Sequence, residues 1–303
     1  MKRVLSICFL LLSCAPAFSA DGTPPVFLSH IWIALDQATY DALRTSKEVA
    51  ALGAVKEQKV AAGSENWSGF YWTARQTYME FFGAAALPDE TLVGDCGIGM
   101  FVETRGAVAV VAERLRTVFG DRIDIDKQVR TTATGDIPWY TSTHLKELQT
   151  TAMWVMELDP GYLAARHPEA PIRDPLSRQQ ERSWDFRPDQ TLDDVAGLTI
   201  ALDKEKASEL ATQLRLFGWS VHRIGSGFFA VGPEAKIRVI PAGVRGGIQQ
   251  VELRLHRSVP IQVIQLGNAE LRLRQHWPAG LMEVDVRTEL HKAVIGTPSY
   301  PTI

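Results

Sequence analysis

The sequence predicts an α+β fold built from tandem strand-helix-strand-strand-strand units, and three observations carry that prediction. Residues 33–36, Ile33-Ala34-Leu35-Asp36, recur in the same letters at Ile200-Ala201-Leu202-Asp203, each time closing an apolar run and opening a helical one. Two helical patterns end alike, Leu115-Arg116-Thr117-Val118-Phe119-Gly120 and Leu214-Arg215-Leu216-Phe217-Gly218. A strand, a helix and three extended segments then follow one another in that order more than once. An internal repeat of this kind fixes architecture before any single residue does.

The first unit opens with Phe27 to Leu35, an apolar strand. Asp36 is placed to cap a helix whose stripe begins at Tyr40 and Leu43 and which is expected to end near Gly53. Extended segments follow around Val55 to Val60, Trp67 to Arg75 and Thr77 to Phe82. The second unit has a strand from Cys96 to Glu103 and a helix with Val108, Val111, Ala112, Leu115, Val118 and Phe119 on one face, closed by Gly120. Its extended segments lie near Ile123 to Thr132, Trp139 to His144 and Ala152 to Leu158. From about Ala164 to Asp194, Pro168, Pro171, Pro175 and Pro188 break the pattern and mark a linker, with Trp184 and Phe186 suited to docking on a domain surface. A third unit begins at Val195, with a helix bearing Ala207, Leu210, Ala211, Leu214 and Phe217. The fourth has strands near Ile248 to His256, Pro260 to Leu266, Ala269 to Arg274 and Leu281 to Val284, and no convincing helix. The division expected is a signal segment over 1–19, a first domain over 20–163, a linker over 164–194, a second, degenerate domain over 195–288, and a tail over 289–303.

The first residues are read as an address rather than as fold. Lys2 and Arg3 precede the apolar stretch Val4 to Leu12, and Ala15 to Ala20 supply small residues for cleavage after Ser19 or after Ala17. The stretch is too short for a permanent membrane span. Leu11-Leu12-Ser13-Cys14 approximates a lipobox, the alternative in which Cys14 becomes a lipidated anchor. Export to a bacterial periplasm is expected on either reading. Cys96 is then the one cysteine of the mature chain, which excludes an internal disulfide and a Cys-x-x-Cys site and fits a buried thiol. The formal charge of −3 becomes more negative once Lys2 and Arg3 are removed, which argues against nucleic acid as a partner. No second apolar stretch is long enough to cross a membrane, and a small-molecule ligand, bound by a monomer or a homodimer, is the expected partner.

Ser29-His30-Ile31-Trp32-Ile33-Ala34-Leu35-Asp36, Thr77-Tyr78-Met79-Glu80-Phe81-Phe82 and Ala152-Met153-Trp154-Val155-Met156-Glu157-Leu158, set in paired units, resemble the vicinal oxygen chelate superfamily: glyoxalase I, the extradiol dioxygenases and the bleomycin- and fosfomycin-resistance proteins. With the Trp67-Ser68-Gly69-Phe70-Tyr71 strand they also resemble an exported bacterial family of unknown function. The resemblance implies two glyoxalase-like domains with cupped mixed sheets, the last module degenerate. It further implies metal ligands at His30, Glu80 and Glu157. The fourth ligand slot falls near Gly97 or Ile98, which offer no side-chain donor, and the second pair of modules is expected to be metal-free.

Alternation along the first strand puts Leu28, His30, Trp32 and Ala34 on one face, and Tyr78, Glu80 and Phe82 share a face on theirs. A histidine and carboxylates among aromatics need pairing, hydrogen bonds or a metal. One nitrogen and two carboxylates suit manganese, iron(II) or zinc. The alternative is a cup without metal in which His30 and Glu80 satisfy one another. Trp67, Tyr71, Arg75 and Tyr78 form an aromatic-rich set with one cation for an anionic or polar ligand. Glu80 and His144 are the candidate proton carriers. No Gly-x-Ser-x-Gly elbow, phosphate-binding loop or His-Glu-x-x-His occurs. Three readings stay open: an exported small-molecule-binding protein, a divalent-metal-dependent lyase, isomerase or dioxygenase, and a cell-envelope interaction module.

Overall fold

In the computed structural model, the described strands assemble into two eight-stranded mixed sheets. The structure describes residues 22–63, 65–84, 91–146, 151–169, 172, 176–243, 246–273 and 282–288; the expected signal segment, with Cys14, and the tail lie outside these. The first half runs β1 (Val26–Leu35), α1 (Gln37–Thr45), α2 (Lys47–Leu52), β2 (Ala54–Ala62), β3 (Glu65–Thr73), β4 (Tyr78–Gly83), β5 (Cys96–Val102), α3 (Ala107–Phe119), β6 (Ile123–Thr132), β7 (Gly135–Leu145) and β8 (Thr151–Leu158). Short helices α4 (Pro160–Arg166) and α5 (Arg178–Arg182) follow. The second half runs β9 (Leu192–Leu202), α6 (Lys204–Leu216), β10 (Ser220–Ile224), β11 (Gly227–Val231), β12 (Lys236–Pro241), β13 (Gly247–Leu255), β14 (Gln262–Leu266), β15 (Ala269–Leu273) and β16 (Met282–Thr288).

The strand orders are β2-β3-β4-β1-β5-β8-β7-β6 and β10-β11-β12-β9-β13-β16-β15-β14. In the first sheet β1 lies parallel to β4 and β5 parallel to β8. In the second, β9 lies parallel to β12, but β13 and β16 are antiparallel. The difference is one of parity. A helix between first and second strand reverses the chain once, so the fourth strand returns parallel to the first, as β8 does to β5. Direct passage from β13 to β14 omits that reversal, and β16 returns antiparallel.

The repeated Ile-Ala-Leu-Asp performs the same local task twice. Asp36 accepts a hydrogen bond from the Thr39 amide at 3.0 Å, and Asp203 from the Lys206 amide at 2.9 Å, each capping the helix that follows. Such caps contribute about 1 kcal/mol each. The single helix expected to run to Gly53 is instead two, because Ser46 leaves helical geometry and caps α2 through the Val49 amide.

The sheets share one apolar core, which takes in Ile31, Ile33, Ile98, Met100 and Val155 of the first, Leu198, Ile200, Ile237 and Leu253 of the second, and the apolar stripes of α3 and α6. Hydrogen bonds cross between the halves, from Trp219 Nε1 to the Val26 carbonyl and from the Asn268 amide to Thr39 Oγ1, both at 2.9 Å. The opposite face of the first sheet is concave, since the outer strands β2 and β6 come into contact. Helices α4 and α5, with the residues directly after α5, cover that hollow and together form a strap. Arg178 pins it: the buried guanidinium donates to the Leu28 carbonyl at 2.8 Å, Glu103 Oε1 at 3.2 Å, Gln76 Oε1 at 3.2 Å and Glu234 Oε2 at 2.6 Å.

Candidate functional site

Side-chain alternation sorts the first sheet into a helix-facing side and a cup side. His30 and Trp32 on β1, Tyr78, Glu80 and Phe82 on β4, Trp67 and Tyr71 on β3, and Trp154 on β8 are all absent from the shared core, whereas their odd- or even-numbered neighbours Ile31, Ile33, Met79, Phe81, Phe70, Trp72, Met153 and Val155 lie in it. Leu28 departs from the expected alternation. The β1–β5 register slips between Leu28 and His30, so Ser29 is an extra residue and Leu28 joins Ile31 in the core.

A continuous transverse row crosses the cup floor. Tyr78 pairs with His30, His30 with Gly99, Gly99 with Trp154, Trp154 with His144 and His144 with Asp124. The His30 ring stacks on Tyr78 at 4.5 Å and meets Trp154 edge-on at 5.2 Å. Gly97, where the fourth ligand slot was expected, and Gly99 both have a packing role. A Cβ at Gly99 would stand 2.1 Å from His30 Cε1, and one at Gly97 2.1 Å from Trp32 Nε1, so the rings lie flat over bare backbone. Burial pushes the His30 imidazole down to about 3, helped by the charge of Arg182, so the ring is neutral at physiological pH.

Beside this floor is a cavity of about 40 Å³, lined by Val60, Trp67, Tyr71, Tyr78, Glu80, Arg130, Trp139 and, from the strap, Tyr162, Arg166, Glu181 and Arg182. It meets a more open groove of about 420 Å³ at Val60, Trp67 and Arg130. Trp67 and Trp139 stack at 6.4 Å where the two meet, and Trp67 Nε1 donates to Tyr71 Oη at 3.0 Å. Burial raises the Glu80 carboxyl to about 8, against the downward pull of Arg182, a Tyr78 hydrogen bond and Arg130. The Tyr71 and Tyr78 hydroxyls are pushed upward by burial and by Glu80, so both stay protonated.

Arg130, Trp139 and Arg182 line this cavity, and each carries one buried donor without a hydrogen-bond partner: Arg130 Nη1, Trp139 Nε1 and Arg182 Nε. Arg130 lies over the Trp139 ring at 4.9 Å and Arg182 over Tyr78 at 4.2 Å. Leaving a buried donor unsatisfied costs about 1–3 kcal/mol, and more for a charged group. A cluster of three calls for a functional explanation.

The expected site residues therefore divide. Trp67, Tyr71, Tyr78 and Glu80 line one cavity, and His30 lies beside it against Tyr78. Arg75 does not. It follows the end of β3, donates to Asp193 Oδ1 at 2.8 Å and covers Phe186, so it binds the strap's far end. Glu157 is also elsewhere, on the side of β8 that carries Met153 and Val155. Its carboxylate accepts from the Gly106 amide at 2.7 Å and the Val108 amide at 3.2 Å, capping α3 where the helix dipole favours an anion. The set His30, Glu80 and Glu157 is thus not assembled. Among the described residues the one group of three with ligand atoms mutually within 4.8 Å is Asp124, Asp126 and His144, with His144 Nε2 at 3.6 Å from Asp126 Oδ2. Sequence reasoning passed over Arg130, Trp139 and Arg182. The available signal was the alternation of Asp124, Asp126, Gln128 and Arg130 against Ile123, Ile125 and Val129, which sets Arg130 on the polar side of β6.

No helix among the described residues is long and apolar enough to cross a membrane. No curated protein matches the chain in sequence. Among solved structures, it is similar to a xylose isomerase-like TIM barrel/4-hydroxyphenylpyruvate dioxygenase fusion protein, at 11% identity and a TM-score of 0.42, over 76% of this chain but 38% of that one. It is also similar to a mutant of 4-hydroxymandelate synthase from Streptomyces coelicolor, at 11% identity and a TM-score of 0.40, over 75% of this chain and 70% of that one. A third structure, a putative dioxygenase from Bacillus subtilis subsp. subtilis str. 168, has 14% identity and a TM-score of 0.27, over 75% of this chain and 69% of that one. The sequence matches one family model over residues 28–277, and the chain belongs to that family, the Family of unknown function (DUF5829).

Proposed function

We propose that this chain is an exported small-molecule-binding protein whose first sheet, a pair of modules of the vicinal oxygen chelate kind, holds its ligand in the strap-covered cup; the second, degenerate pair serves as a packed partner domain. One observation carries the reading. The cavity and the groove meet at Val60, Trp67 and Arg130, so a ligand head can enter under the strap while its body lies along the open groove. Ligand sites are usually concave with converging polar groups, and this concavity is lined by aromatic side chains interleaved with charged ones. The test is thermal denaturation of the mature protein against a panel of small molecules. At least one compound should raise the wild-type Tm by 2 °C or more, and Trp67→Ala, which removes the wall common to both chambers, should at least halve that rise. If no compound shifts the wild type, the reading is wrong.

A second reading is favoured by Asp124, Asp126 and His144. One imidazole and two carboxylates on paired strands form a donor set suited to manganese, iron(II) or zinc. An ion bound there would supply Lewis-acid polarisation to a metal-dependent lyase, isomerase or dioxygenase. Asp124 and Asp126 would offer oxygen donors and His144 its Nε2. Calorimetric titration with Mn²⁺ and Zn²⁺ tests it: about one ion per chain should bind, and His144→Ala and Asp126→Asn should each weaken binding at least tenfold. Wild-type protein that takes up neither ion would eliminate this reading.

A further inference from the structure

We propose that the cup selects a carboxylate, gripped between Arg130 and Arg182 with Trp139 Nε1 as a third donor, and that the rest of the ligand is a flat apolar body lying against Trp67. This inference rests on the small-molecule reading above and adds the chemical class of the ligand. The three unpartnered buried donors belong to residues from separate parts of the chain, on β6, β7 and the strap, that line one cavity. None of them can accept a hydrogen bond, so what they need is an acceptor with several lone pairs in one place. A planar oxyanion meets that need, and guanidinium groups match its geometry.

The charges around the cavity agree. Its cations are Lys56, Arg130, Arg166 and Arg182, and its carboxyl groups are Glu80, Glu181 and Asp185. Glu181 is paired with Arg182 at 2.5 Å and Asp185 with Lys56 at 3.1 Å, while burial keeps Glu80 largely protonated. Arg166 is turned toward Tyr162, whose hydroxyl accepts from its Nη1 at 2.7 Å. Arg130 therefore has no countercharge of its own among these groups. Size selects the head group: about 40 Å³ under the strap suits a small head rather than a whole molecule, whereas the groove of about 420 Å³ takes the body. At that junction the Trp67 ring, which lines both chambers and stacks on Trp139, offers a flat apolar surface.

The probes are benzoate, its neutral counterpart benzamide, and inorganic phosphate, titrated by calorimetry into the full mature chain, with Arg130→Met and Trp139→Phe as variants. Arg130 stands on an outer strand, half-buried, so Arg130→Met should fold and melt within a few degrees of wild type; Trp139→Phe keeps one aromatic ring while removing the donor together with the pyrrole half of the indole. Benzoate should bind the wild type at least tenfold more tightly than either benzamide or phosphate. Arg130→Met should lower benzoate affinity at least tenfold while leaving benzamide unchanged, and Trp139→Phe should lower it by severalfold. Equal binding of benzamide and benzoate, or benzoate binding indifferent to Arg130→Met, overturns the carboxylate assignment and leaves the cup as a binding site for neutral molecules. Phosphate binding without benzoate overturns the apolar body and places a free oxyanion in the cavity. Failure of all three probes to bind overturns the carboxylate assignment, and the panel of small molecules then decides the cup separately.

Discussion

Arg178→Met is expected to destabilise the protein by about 3 kcal/mol, at the lower end of the roughly 3–5 kcal/mol that follows from breaking a buried charge pair. Met keeps much of the length and apolar volume, so the loss isolates the guanidinium. That group satisfies the Leu28 carbonyl where the register slips, and it joins Glu103, Gln76 and Glu234, the last reaching in from the second half of the chain. Its charge also lies 4.2 Å from the Phe27 ring. Magnitudes place the loss at the lower end. The Glu234 side chain is 40% exposed and can be rehydrated, whereas Glu103, at 24%, is less free and the Leu28 carbonyl is left inside. At about 2–4 °C per kcal/mol for a chain of this size class, the melting temperature should fall by roughly 6–12 °C. A variant that melts within 2 °C of wild type would show that the strap is held by its other contacts, Lys56 with Asp185 and Arg75 with Phe186.

What could be read from the sequence, and what could not, follows from the range of the interactions involved. The two Ile-Ala-Leu-Asp segments were legible because strand ending, capping carboxylate and helix start are local, and both aspartates do cap. Tyr78 and Glu80 were legible as sharing a face because alternation along one strand sets it, and His30 joins them through the pairing of β1 with β4. Glu157 was misassigned because the frame carried over onto β8 was odd by one face. Met153, Val155 and Glu157 point to the helices, and a one-residue change of frame reverses every side chain. Arg75 failed for a different reason: the extended segment expected to reach it ends at Thr73, and Arg75 lies in a turn that the Asp193 carbonyl holds through the Arg75 amide. Leu28 was lost to the extra residue at Ser29, a slip that only pairing with β5 reveals. Arg130, Trp139 and Arg182 could not be grouped at all, since their meeting requires the sheet to curl and a strap far along the chain to fold back over it.

The pH dependence of stability should carry the signature of Glu80. Its carboxyl ordinarily titrates near 4.5 and is raised to about 8 in the fold, first by burial, with Arg182, Tyr78 and Arg130 opposing the rise. The folded state therefore holds a proton that the unfolded chain has already released. Between those two values the unfolded state binds fewer protons, so stability falls as pH increases. At one pKa unit per 1.36 kcal/mol, passage from pH 6 to pH 9 should cost the wild type roughly 2–3 kcal/mol through this group. Glu80 keeps some exposure to the cavity, which makes that an upper figure. Glu80→Gln retains the shape and cannot ionise, so its stability should decline less over the same interval. Denaturant unfolding at pH 6, 7.5 and 9 measures both curves, and they should diverge progressively toward pH 9. Parallel curves would mean that Glu80 is already ionised in the folded protein, stabilised by Arg130 and Arg182. In that case the same two guanidiniums that are proposed to grip a ligand carboxylate would already be spent on one from the chain itself. The stability measurement thus bears on the binding chemistry before any ligand has been found.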